Sequence, residues 1–223
     1  MAVSFLEAWF LGALGPDVRA WLTAALDRAR QAGIASDDFA SAWSGAGRRL
    51  GRSVVAASEL DTANLQRGGA PFVPTGWGAD ELGRGLLLLA AVTGTPDAAA
   101  FVVGVDELFR KGEMREQQAI LRVLAYLPAP AQYGALAADA VRVNVLSVIE
   151  ALACDNPFPA AHMPELAFNQ MVMKAIFNDL PLARVIGLAE RNNEELRRMV
   201  TAYASERRAA GRPVPADTAL VLG

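Results

Sequence analysis

Arg142, Asn144, Glu150, Asn156, His162, Glu165, Asn169, Gln170, Lys174, Arg191, Glu206, Arg207 and Arg212 interrupt the otherwise apolar C-terminal half of the chain. Such groups within helices that read as buried are costly unless they pair with one another or with a ligand. That half is therefore expected to hold the functional surface, a polar-lined crevice. Glu150 and Glu165 would serve as a general acid and base if they face one cavity. As salt-bridged glutamates they would instead be structural, because ion-pair networks perturb pKa values without catalysis.

His162 is the one histidine, and with Cys154 and Glu165 it would offer three mixed metal ligands. Structural zinc uses several Cys and His at tight spacing and catalytic zinc favours paired His, so no metal is expected there. Cys154 with His162 would make a nucleophile and base, but a lone buried thiol usually behaves as a small hydrophobe. The bland role for His162 is to pin the loop Asn156 to His162 by hydrogen bonds. Gly83 and Gly85 follow no strand and lack Walker or dinucleotide spacing. Asp37-Asp38 lacks the second acidic group that a magnesium-diphosphate site needs. No cofactor is expected. Arg207, Arg208 and Arg212 fall near the end of the last helix, where cations favour the dipole in any case.

The elements that would position these residues are helices, since apolar residues recur at three and four and Gly and Pro fall between the periodic stretches. Between Glu165 and Asn178, Phe168, Met171, Val172, Ala175 and Ile176 form one apolar stripe and Leu166, Met173 and Phe177 a second. Two contact faces predict a central helix. Gln170, Lys174 and Asn178 run along one seam and Glu165 with Asn169 along another, so Lys174 should point into a crevice and need an acceptor there. The preceding helix should run unbroken from the Pro128 and Pro130 region to Cys154, carrying Arg142 and Glu150. A network linking Arg142, Glu150, Lys174 and Glu206 is expected.

Further helices are expected over Val3 to Leu14, from Pro16 to Gly33, and from a Ser36 cap to about Arg52. Ser58 to Gly78, with Gly68-Gly69, Pro71, Pro74, Gly76 and Gly78 around Phe72 and Trp77, reads as an irregular hinge or lid. The array resumes with Ala79 to Thr93, then a helix started by Thr95-Pro96-Asp97 with Thr95 as cap, then Glu113 to Leu127. Beyond Cys154 come a loop Asp155 to Pro164 and helices to Asn178, from Leu182 to Glu190, and from Asn193 to Ala210. The expected fold is one all-α domain over 1–223. Antiparallel helix pairs stack as a HEAT-like array over 79–212, with no sheet and a C-terminal tail over 213–223.

Composition excludes several function classes. At 53% hydrophobic and 20% charged, the chain falls among globular rather than disordered proteins. A net charge of -3 lacks the basic footprint of nucleic-acid binding. One cysteine fits a reducing cytoplasm. Met1 to Ala13 is apolar but contains Glu7 and no basic zone, so it reads as a packed helix rather than a signal peptide. The longest apolar run, Leu86 to Thr93, falls short of the ~20 residues that cross a bilayer. Peripheral contact with the inner membrane stays compatible with this pattern.

Val141-Arg142-Val143-Asn144-Val145, Glu150-Ala151, Asp155-Asn156-Pro157-Phe158-Pro159-Ala160, Phe168-Asn169-Gln170-Met171-Val172-Met173-Lys174 and Tyr203 to Arg212 resemble the EboA family of bacteria. Phe158 stands where an aromatic, often Tyr, is expected. The resemblance implies participation in the Ebo system. Its other proteins are a UbiA-like membrane prenyltransferase, a TatD-like hydrolase and a sugar-phosphate-cyclase-like enzyme, and it traffics a small, prenylated compound. Three readings follow. One is an accessory protein that binds an apolar or prenylated intermediate and hands it on. Another is an enzyme using Glu150, Glu165 and Lys174 on a phosphorylated or cyclitol-like substrate. The third is a scaffold for other proteins.

Overall fold

The computed structural model describes residues 2–223, and among them the regular elements are helices, joined by a single antiparallel bridge between Val54 and Gly78. The all-α expectation holds. The chain forms two compact units, Met1–Pro130 and Ala131–Gly223, so the division falls well beyond the 58–78 segment.

The first unit contains α1 (Ala2–Gly12), α2 (Pro16–Ala32), α3 (Asp37–Leu50), α4 (Glu59–Arg67), α5 (Ala79–Gly94), α6 (Ala98–Lys111) and α7 (Met114–Val123). Leu22, Ala25, Leu26 and Ala29 give α2 a buried stripe at helical spacing, and Phe39, Ala42, Trp43 and Ala46 do the same for α3. Gly33 ends α2 at φ 75°, and the Ser36 hydroxyl accepts from the Phe39 N–H to start α3. The α5 helix is buried on every side from Ala79 to Ala91, packed against α2, α3 and α7. Its main partner, α2, is not its neighbour in the chain, so the nearest-neighbour stacking of a repeat array is not the rule in this unit.

Two expectations change here. Thr95 does not cap α6, because its hydroxyl donates to the Ala91 carbonyl (2.8 Å) and accepts from the Ile34 N–H (3.0 Å), closing the end of α5 onto the α2–α3 turn. Asp97 takes over, its carboxylate accepting from the Ala99 N–H. The 58–78 segment is also more ordered than its glycines and prolines suggest. Ser58 and Asp61 form a capping box that starts α4. Phe72 packs against both Trp77 and Tyr126, whose hydroxyl donates to the Phe72 carbonyl.

The second unit contains α8 (Gly134–Ala140), α9 (Leu146–Ala153), α10 (Phe158–His162), α11 (Glu165–Phe177), α12 (Leu188–Arg191), α13 (Glu194–Ala209) and α14 (Ala219–Leu222). The α11 helix packs on α9 and α13, and α13 on α14. The helix expected to run unbroken to Cys154 is two helices, with a break over 141–145. Val141 keeps a helical backbone as α8 ends, and by Val145 the chain is extended, as a β-branched residue favours. The second stripe of α11 is also mostly solvent-facing: Met173 is buried, but Leu166 is 60% and Phe177 58% exposed. The stretch 213–223 is docked, since Val221 is buried, Asp217 accepts from the Leu182 N–H (2.8 Å) and Asn192 donates to the Val221 carbonyl (2.9 Å).

Candidate functional site

The polar residues singled out in the second unit do not converge. Arg142 is exposed and pairs with Asp139, three residues back. Glu150 accepts from Arg184 (2.8 Å), whose guanidinium also binds Asp155 (2.6 Å). Those carboxylates raise the Arg184 pKa, Asp155 most strongly, against the opposing effect of burial. Lys174 does meet acceptors, but they are the carbonyls of Val141 and Val143, each 2.7 Å from Nζ. Its ammonium thus closes the exit of α8, where free carbonyls and the helix dipole favour a cation. Asn144, Gln170, Glu206 and Arg212 are exposed. The expected Arg142–Glu150–Lys174–Glu206 network is therefore replaced by separate local pairs, because the 141–145 break redirects the chain between Arg142 and Glu150.

Several of these residues hold turns together. Asn156 is buried, donating to the Ala151 carbonyl and accepting from the Phe158 N–H, which fixes the turn into α10. Asn169 and Asn193 exchange amide hydrogen bonds at 3.1 and 3.0 Å, and Asn193 also caps α13. Arg191 donates to the carbonyls of Ala160 and Met163 and lies over the Phe168 ring. Arg207 donates to the Pro213 carbonyl. His162 packs its ring against Phe158 at 5.1 Å. Glu165 is exposed in the first turn of α11, so it and Glu150 have unlike surroundings. Cys154 is buried, and among the described residues no three His, Cys, Asp or Glu side chains group as a metal site.

The heaviest concentration of buried charge lies in the first unit, where sequence reasoning did not look. Asp80 and Glu81 in the first turn of α5 are each 1% exposed. Arg115 of α7 donates through Nε (3.0 Å) and Nη2 to Asp80, and pairs with Glu81 at 3.1 Å. Arg84 donates to Asp80 (3.0 Å), and Arg122 lies 3.6 Å from Glu81. Asp80 is the main cause of a raised Arg115 pKa. Trp43 and Trp77 lie under the guanidinium groups of Arg84 and Arg122. Each of these carboxylates faces a guanidinium, and the cluster clamps α5 to α7, with Glu81 Oε1 held by ion pairing and no hydrogen bond. The signal for it was present: Leu86 to Val92 is apolar all round, and a helix with no solvent face must bury the charges of its first turns too.

A different character belongs to a cleft of about 310 Å³ in the same unit, lined by Ile34, Ala35, Thr95, Ala100, Val103, Gly104, Glu107, Leu108 and Lys111. Val103 is 57% exposed, and the Glu107 and Lys111 side chains pair at 2.8 Å. That pairing holds the Glu107 carboxyl below its usual range. The arrangement offers an apolar wall with one polar handle, the Glu107–Lys111 pair.

No helix among the described residues is long and apolar enough to cross a membrane. No curated protein and no solved structure matches the chain. A family match covers residues 2–222, under the description "Metabolite traffic protein EboA". The chain belongs to the EboA family of metabolite traffic proteins.

Proposed function

We propose that the protein is a non-enzymatic carrier that binds a small apolar or prenylated intermediate and hands it on within its pathway. The observation that carries this reading is the apolar cleft between the α2–α3 turn and α6. Its volume of about 310 Å³ sits at the lower end of the ~300–1,000 Å³ typical of ligand pockets. Partners of this hand-over are the other Ebo proteins, including the UbiA-like prenyltransferase, met at the cytoplasmic face of the inner membrane through peripheral contact. The enzymatic alternative is less well supported, since Glu150 is engaged by Arg184 and Lys174 by two backbone carbonyls.

Native mass spectrometry of protein purified gently from a host carrying the neighbouring genes tests the proposal. A discrete small-molecule adduct is expected, and Val103→Glu, a change at an exposed position, should abolish it. An adduct-free mass, or a mass matching a bound protein, would overturn the carrier reading and favour a scaffold.

A further inference from the structure

A second cleft in the first unit has the opposite chemistry. About 290 Å³ in volume, it is lined by Trp21 and Arg28 of α2 and by Asp38, Ser41, Ala42, Gly45, Arg48 and Arg49 of α3. Three guanidinium groups thus meet one carboxylate, and that carboxylate, Asp38, stands 3.9 Å from the Arg28 Nε. Among the described residues Arg48 and Arg49 have no ion pair and donate no side-chain hydrogen bond; Arg49 lies over the Trp21 ring at 5.9 Å. The end of α3 would attract two arginines anyway, but that does not account for the concavity between them. Gly45 does. A glycine inside a helix is unfavourable relative to alanine, and here packing does not demand one: an added Cβ would touch only Trp21, at 4.0 Å. What Gly45 provides is an open floor one turn from Arg48 and Arg49.

We infer that this cleft is a binding site for a phosphate or diphosphate ester group. Guanidinium forks match phosphate oxygens in geometry and charge, the Ser41 hydroxyl adds a donor, and Trp21 holds Arg49 over the cleft. The site goes beyond the carrier reading and stands whether or not the apolar cleft holds cargo, since the two share no lining residue.

Calorimetric titration of the full chain with inorganic diphosphate tests the inference. Saturable binding that weakens with salt is expected, and the exposed double substitution Arg48→Ala/Arg49→Ala should weaken it on the order of tenfold or more while lowering the thermal midpoint of the free protein only slightly, through the lost Trp21 contact and helix-end charge. Gly45→Leu, which fills the floor, should do the same. A parallel arm compares vesicles of phosphatidylcholine with and without phosphatidic acid. Binding of free diphosphate places the group on a soluble molecule, and binding only of phosphatidic acid vesicles places it on a lipid headgroup. No saturable binding in either arm, or binding that the arginine double variant retains, overturns the site.

Discussion

Arg115 holds both carboxylate oxygens of Asp80, joining α7 to the first turn of α5 through a pair whose acidic member is almost wholly buried. Removing one side of such a pair leaves the other charged and desolvated, which costs more than the pair itself contributes. Asp80→Asn is expected to destabilise the protein by about 3–5 kcal/mol, measured by urea denaturation. Replacing Asp80 and Arg115 together by Leu and Met should not recover that loss, because it also strips buried Arg84 of Asp80 and buried Glu81 of Arg115. An Asp80→Asn protein as stable as wild type that no longer binds cargo would move Asp80 from the scaffold to the site.

Lys174 makes its two bonds to backbone carbonyls that have no helical partner, so its substitution tests a structural role directly. Lys174→Met keeps the alkyl stem and removes the ammonium. The expected cost is about 1.5–3 kcal/mol, the range for a hydrogen bond to a charged group, with cargo binding in the first unit unchanged. A stable Lys174→Met protein lacking function in a complementation assay would instead support the enzymatic reading.

The contact of Gly33 with Gly94 is a close backbone-to-backbone joint in the first unit. A Cβ on Gly33 would lie 2.4 Å from the Gly94 carbonyl oxygen, and one on Gly94 2.4 Å from the Gly33 nitrogen. Both obstacles are backbone, and Gly33 also sits at φ 75°. Gly33→Ala and Gly94→Ala should each lower stability by roughly 1–3 kcal/mol, read from chemical denaturation. Gly12, whose added Cβ would meet nothing, should tolerate alanine.

Helix existence was legible almost throughout, because Ser36, Gly33, Asp97 and the apolar periodicities act locally. What failed was nonlocal. The reading through Val141 to Val145 as helix missed that Lys174, more than thirty residues away, offers those carbonyls a better donor than a continuing helix. Thr95 lost its capping role to the Ile34 N–H for the same reason. Among the polar residues of the second unit, Asn156, Lys174, Arg191 and Arg207 donate to backbone carbonyls, partners that side-chain pairing arguments cannot reveal. Arg184, the partner of Glu150, lies in the short turn of helix Leu182–Arg184, where periodicity gives no register, and Asn193, the partner of Asn169, stands just ahead of α13 as its cap.

Alkaline pH should weaken the fold through two buried phenols. Tyr133 is almost fully buried with no hydrogen-bond partner for its hydroxyl, and burial pushes its pKa up to about 12. Tyr126 is shifted upward as well, again by burial. In the unfolded chain a tyrosine ionises near 10. The native state therefore keeps a proton that the unfolded state has lost, so stability is intact below pH 10 and declines as pH rises through the interval to 12. For Tyr133 alone the interval corresponds to roughly 2–3 kcal/mol. Urea denaturation repeated across this range should show a falling midpoint, and Tyr133→Phe, which cannot ionise, should flatten part of the fall. A midpoint equally pH-dependent in Tyr133→Phe would mean that Tyr133 does not carry the effect, and would leave it to Tyr126 in the first unit.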